Sequence, residues 1–257
     1  MIRRPILIFF LFEILVCSAY GQDSLAYKSK WQVRFLTGGN IPITKLLQGN
    51  EIDYLFQYSD WSYSFQPLSV SYFFHKHWGA DFKVRGGGSF KSDYRRTDDF
   101  IAKIQPMYGD NYFLSAEMDE TEDTFVQSYI GVIYRLETNK FYVYPTLSIG
   151  QTIIPTNHWL THLKEKNSNN EYNLFLSVKN KSSDSFFTVA PSVSFGYKLS
   201  KRVFLNADVM LSYFRPNFTF EKEFVNLYTK ESTVEYFDYK KDIFTFGLGA
   251  GLIIAIH

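Results

Sequence analysis

The sequence has one cysteine, no long apolar run beyond its first residues, almost no helical periodicity and hardly any net charge. Each absence removes a class of protein. The cysteine, Cys17, falls within the N-terminal leader, so an exported mature chain would carry no disulfide. Its stability would then rest on packing and hydrogen bonding. After the leader no stretch approaches the roughly 20 apolar residues that a spanning helix needs, and the mean hydropathy is slightly negative. A helical membrane protein is therefore excluded. The formal net charge is only +1 over 257 residues, and the basic residues are dispersed. Nucleic acid binding requires a clustered basic face, so no nucleic-acid partner is expected.

What the chain has is a leader and a strong two-residue alternation. The opening "MIRRPILIFFLFEILVCSAYGQDS" sets Arg3 and Arg4 before an apolar core, Pro5 to Val16, and a small-x-small site at Ala19-Tyr20-Gly21. That is the layout of a secretory signal peptide, expected over 1–21 and removed by cleavage, leaving a single mature domain over 22–257. Val16 stands before Cys17 where a lipoprotein signal would have a small residue, so Cys17 is expected to leave with the leader. Without Arg3, Arg4 and Glu13 the basic and acidic residues are equal at 25 each.

Alternation of apolar and polar residues predicts eight strands, at 29–38, 66–74, 80–90, 124–136, 141–152, 185–199, 203–214 and 242–256. Each reaches the length of roughly 9–11 residues with which a tilted strand crosses a bilayer. The connections alternate. "HKHWG", "ETNK" and "SKR" are short, whereas 39–65, 91–123, 153–184 and 215–241 are long and polar. Outer-membrane barrels pair an even number of antiparallel strands with short periplasmic turns and long extracellular loops.

The composition of the two strand faces decides which one is inside. In 203–214, Val203, Leu205, Val209 and Leu211 alternate with Phe204, Asn206, Asp208, Met210 and Ser212. In 242–256, Phe244, Phe246, Leu248 and Leu252 oppose Thr245, Gly247, Gly249 and Gly251. A face this rich in glycine and serine, with charges of both signs, suits the lumen of a small barrel, which is just wide enough for side chains to fill. The predicted fold is all-β: an eight-stranded antiparallel up-and-down transmembrane β-barrel with four long extracellular loops. Its expected lumenal charges are Arg34, Lys83, Arg85 and Arg135 against Asp81 and Asp208. With Tyr129 and Phe204, several of them are expected to plug the bore. Pro145 and Pro191, which cannot donate to a ladder, predict bulges, and Gly86-Gly87-Gly88 predicts a bend or bulge.

The leader, the alternating connections, "VSYFFHKHWGADFKV" and "GYKLSKRVFLNADVMLSYF" together resemble the small outer-membrane β-barrel proteins of the OmpA, OmpX and OmpW type, in particular barrel-domain proteins of Bacteroidetes-like Gram-negative bacteria. The resemblance implies residence in the cell outer membrane, contact with its lipids and lipopolysaccharide, and a monomer.

Candidate chemistry is sparse. His158 and His162, with Glu165, would share a face on a helix and are weak metal candidates; a solvated loop segment is the expected outcome, and no cofactor is expected. The acidic run Glu117, Asp119, Glu120, Glu122 and Asp123 does not have the spacing of a calcium loop. A lipid A-modifying enzyme would need a Ser and a His at the outer rim. His75, His77 and His257 fall at the other end, and no motif joins His158 or His162 to Ser168 or Ser177, so no catalytic residue is expected. Aromatic residues crowd the long loops at Tyr54, Phe56, Tyr58, Trp61, Tyr63 and Phe65, and again at Tyr108, Tyr112 and Phe113. They point to loop self-packing or to an extracellular ligand surface. The expectation is a non-enzymatic structural or surface-binding barrel. The alternatives are a narrow channel or conduit for small or hydrophobic ligands, and a lipid A-modifying enzyme.

Overall fold

The computed structural model describes residues 29–44, 62–89, 98, 101–102, 105–109, 111–118, 124–153, 159–179 and 185–256. The leader expected at 1–21, the cleavage that would free 22–257, residues 54–61, the acidic residues 119–123, His158 and His257 lie outside them.

The described chain forms fourteen strands: β1 (Trp31–Pro42), β2 (Ser62–Tyr72), β3 (Trp78–Ser89), β4 (Tyr112–Met118), β5 (Thr124–Tyr134), β6 (Leu136–Glu137), β7 (Phe141–Ile153), β8 (Trp159–Glu165), β9 (Glu171–Val178), β10 (Ser185–Lys198), β11 (Val203–Phe214), β12 (Asn217–Asn226), β13 (Ser232–Lys240) and β14 (Ile243–Ile256). Eight of them, β1, β2, β3, β5, β7, β10, β11 and β14, pair antiparallel in chain order, and β10 pairs with β7 while β14 pairs with β1, closing the ring. This is the predicted transmembrane barrel, with strand ends within four residues of those expected.

Burial follows the two-residue period with the apolar face outward. Ile130, Val132, Leu147, Leu205 and Leu252 are exposed, while Gln32, Ser69, Ser71, Gln127, Ser148 and Ser194 are buried. Two aromatic girdles flank this aliphatic band. At the short-turn end the pairs are Trp31–Tyr72 (4.5 Å between centroids), Trp78–Tyr134 (4.8 Å) and Phe141–Tyr197 (5.4 Å). At the long-loop end Tyr213 packs on Phe244 at 4.9 Å. A band of this kind between two girdles is the exterior of a barrel that spans a bilayer. Because closure pairs every strand edge, the unboiled protein is expected to resist detergent and to run on a gel at a different mobility from the boiled protein. A single unshifted band would contradict the closed ring.

The bulges are not where the sequence placed them. Pro191 faces Leu147 and Pro145 faces Val193 in an unbroken β7–β10 register. The shift instead lies in β2, between Phe65 and Leu68, where Pro67 and Leu68 are both exposed side by side. The glycines 86–88 run straight along β5 without a shift. They lie beside the β2 bulge and do not form it.

The long connections are also more ordered than their polarity suggested. β4, β8, β9, β12 and β13 form a second sheet in the order β13-β12-β9-β8-β4. That order repeats the order of the barrel strands to which they connect, β14, β11, β10, β7 and β5. The barrel wall is therefore raised above the bilayer band over five adjacent strands.

Candidate functional site

The lumen is built in layers by residues of one parity. Across its short-turn end, Arg135 lays its guanidinium 3.3 Å from the ring centre of Phe73 and donates to Ser29 O at 2.8 Å. Lys198 Nζ donates to Glu137 Oε2 at 2.7 Å, Tyr144 donates to the same carboxylate, and Gln32 donates to Tyr144 Oη at 3.0 Å. The Tyr142 ring packs at a tilt against Phe204 and Tyr144, and Tyr142 donates to Asn206 Oδ1 at 2.5 Å. Sequence reasoning leaves Glu137 in a turn and misses this role. The signal was available: it stands two residues after Arg135, on the same face.

The middle layer holds four of the predicted charges, with a fifth, Arg85, just above it. Arg34 donates to Asp81 Oδ1 at 2.6 Å, to Ser194 Oγ at 3.1 Å and to Ser71 Oγ. Asp81 also accepts from Ser71 at 2.7 Å and lies 3.9 Å from Lys83 Nζ. Lys83 donates to Ser192 Oγ at 3.1 Å, and Ser194 donates to Asp208 Oδ1 at 2.5 Å. Serines at alternate positions on β2 and β10 thus supply the hydrogen bonds that a paired charge needs in a low-dielectric interior. Above, Arg85 donates to Ser64 Oγ at 2.6 Å. Gly247 faces it from β14, and a Cβ there would come within 2.7 Å of the guanidinium, so the glycine face of β14 makes room for this arginine. The sixth predicted charge, Arg135, belongs to the floor.

Higher still, Tyr129 packs with Ala190 and Met210, and Thr188 donates to Thr152 at 2.8 Å. Above these the raised sheet turns an apolar face inward. Trp159, Leu163, Leu174, Leu176, Phe218 and Phe220 form one buried cluster with Phe125, Phe186, Phe214 and Ile243 of the barrel. Tyr108 and Tyr112 pack against this cluster, which is the self-packing expected of the loops. Phe113 stays exposed. Among the described residues the space beside Arg85 and Asp208 is a cavity of about 10 Å³, lined also by Leu36, Thr37, Ser64 and Gln66. It is about the size of one water.

Of the weak metal candidates, the two among the described residues do not come together. The segment is strand β8 and not a helix, so His162 and Glu165, three apart, point to opposite faces. His162 Nδ1 lies 3.0 Å from Asn173 Oδ1, its strand partner, and Nε2 lies 3.6 Å from Glu171. Ser168 donates to Glu165, as does Asn170 at 3.1 Å, and these bonds hold the Glu165 carboxyl below the usual carboxylate range. No group of three metal-ligating side chains gathers among the described residues.

The outer face of the raised sheet is the other notable surface. Val234 and Tyr236 are exposed on this face of the β12–β13 hairpin and Tyr228 at its turn, and Lys179 Nζ sits 3.7 Å from the centre of the Tyr236 ring. β13 is the edge of its sheet among the described residues.

No protein-family model and no curated protein match the chain. Several solved structures align with it. The outer membrane protein OprG from Pseudomonas aeruginosa aligns at 12% identity and a TM-score of 0.41, over 91% of this chain and 100% of that one. A major outer membrane protein from Thermus thermophilus aligns at 9% and 0.40, over 87% and 98%. Ail, the attachment invasion locus protein of Yersinia pestis, aligns at 11% and 0.34, over 88% and 97%. All three TM-scores are below 0.5, and the assignment rests on the chain's own geometry. A closed eight-stranded ring with polar and charged side chains buried inside it and an apolar exterior between two aromatic girdles is the architecture of the small outer-membrane barrels.

Proposed function

We propose that the protein is a non-enzymatic, monomeric outer-membrane barrel, delivered by a cleaved signal peptide, whose role is binding or structural at the cell surface. The observation that carries this reading is the filled bore beneath a raised, solid wall. The charged layer, the aromatic floor and the apolar cluster each set buried side chains across the lumen, which supports this reading over a channel. The surface that remains for work is the outside of the raised sheet, beyond the girdle at the long-loop end. Exposed aromatic rings beside lysines, such as Tyr236 with Lys179, suit a glycan or a protein partner there.

A lipid A-modifying enzyme would need an activated nucleophile at the outer girdle. His162 and Ser168 are each engaged with other partners, Asn173 and Glu165, which favours the non-enzymatic reading.

The test is conductance. The purified protein in a planar bilayer is expected to give no unitary current steps, and regular steps would favour the channel instead. In a parallel assay, whole cells that express a Tyr228→Ser/Tyr236→Ser variant should insert the barrel normally and lose surface binding of whatever glycan or protein the wild type retains.

A further inference from the structure

The exterior of a closed barrel is convex, yet this one has a broad, open groove. It measures about 590 Å³, within the range of roughly 300–1,000 Å³ of ligand clefts. Val132, Pro145, Leu147, Pro191, Val193 and Leu211 line it, and Trp78 and Tyr134 bound it.

The two prolines account for the dent. Leu147 faces Pro191 and Val193 faces Pro145, so the prolines lie diagonally across β7 and β10. Their short rings hug the wall where longer side chains would stand out. Between β10 and β11 the pairing passes from Val189–Tyr213 to Ser192–Met210 without pairs at Ala190 and Pro191. The groove therefore reaches down to the backbone, and Thr146 and Ser192, which belong to the other face, contribute to its floor.

Its depth in the bilayer is fixed by its ends. Trp78 and Tyr134 belong to the girdle at the short-turn end, where His77 stacks on Tyr134 at 5.6 Å. Pro145 lies only four residues above Phe141, the first residue of β7. The groove thus runs from the short-turn interface toward the middle of the aliphatic band.

The rim at that end is basic. Lys30, Lys76, Lys140, Lys201 and Arg202 are all exposed there. The one carboxylate described in the three short turns, Glu137, is turned inward on Lys198 and Arg135. Lys76 precedes β3, Lys140 precedes β7 and Lys201 lies between β10 and β11, all strands that line the groove.

We propose that the groove holds one acyl chain of an anionic phospholipid, with its phosphate drawn to the basic rim at Lys76 and Lys140. Under the outer-membrane reading this is a lipid of the periplasmic leaflet. A chain lying in the groove touches more apolar wall than one lying on the convex surface, which distinguishes it from the lipid that merely surrounds the barrel. The cations select the headgroup, since a basic residue near an anionic surface contributes about 1 kcal/mol, which corresponds to roughly fivefold per charge.

The experiment is native mass spectrometry of the folded protein released from mixed micelles of detergent with phosphatidylglycerol or with phosphatidylcholine. Wild type is expected to retain one phosphatidylglycerol in preference to phosphatidylcholine. Leu147→Trp/Val193→Trp, which fills the groove, should abolish retention of both. Lys76→Glu/Lys140→Glu should keep a bound lipid but cut the preference for phosphatidylglycerol roughly tenfold or more. Each variant is first checked for the heat-dependent gel shift. A wild type that shifts but retains no lipid, or a filled groove that retains it undiminished, would overturn the site while leaving the barrel intact. Absence of the shift in wild type would instead remove the barrel on which the site depends.

Discussion

Replacing Asp81 with alanine is expected to cost about 3–5 kcal/mol of folding stability, the scale on which removal of one partner leaves a buried charge uncompensated. Asp81 is fully enclosed and is the acceptor at the centre of its layer. It takes the Arg34 guanidinium at 2.6 Å, the Ser71 hydroxyl at 2.7 Å and the Ser69 hydroxyl at 3.4 Å. Lys83 stands 3.9 Å away. Without the carboxylate two cations face each other across the bore, with only Asp208 nearby to balance them. The measurement is a urea titration of the refolded barrel in phospholipid vesicles, scored by the fraction that keeps the unboiled mobility. The control is Arg34→Met/Asp81→Ala. If the penalty comes from the stranded charge and not from a lost contact, the double variant should recover a large part of what the single variant loses. A double variant that is worse than the single by the full cost of a second deletion would mean the pair acts as packing alone.

The charged layer was legible because alternation fixes parity. Once 80–90 is read as a strand with Phe82 and Val84 outward, Asp81, Lys83 and Arg85 have nowhere to point but the bore. The same logic gives Arg34 and Asp208, and it would give Glu137 if the strand after Arg135 were carried two residues further. Pairing was not legible. Nothing local says that Arg34 reaches Asp81 across two strands, because register depends on the whole ring.

The raised sheet escaped the sequence reading for a different reason. In the bilayer band the outward face must be apolar, so alternation there is strong. Above it the outward face is wet, and strands such as "WLTHLKE" and "NFTFEKEF" mix lysine and glutamate with the inward Trp159, Leu163, Phe218 and Phe220. Their period is intact, but their mean polarity is that of a loop. The prolines mislead in the opposite direction. A missing ladder donor at Pro145 and Pro191 suggests an extra residue, whereas the wall absorbs them by leaving pairs unmade and yielding a dent. The actual β2 bulge carries Pro67, which lies at the edge of a predicted strand.

The inside-out assignment itself has a sharper test than any gel. Ile130 sits midway along β5, facing Phe82 on β3 and Ile149 on β7, and its side chain is 60% exposed. In a soluble sandwich an arginine at so open a position would change stability by no more than about 0.5 kcal/mol. At the middle of a bilayer the same substitution costs about 2–4 kcal/mol, because the guanidinium must leave water or drag water in. Ile130→Arg is therefore expected to lower stability by that amount in vesicles. Val234→Arg on the raised sheet, at 40% exposure, should be close to neutral. Two exposed sites with the same new side chain and opposite outcomes can differ only in what surrounds them, and hydrocarbon around one and water around the other is what the two girdles mark out. Equal, small effects at both would place Ile130 in water and require the faces of every barrel strand to be exchanged.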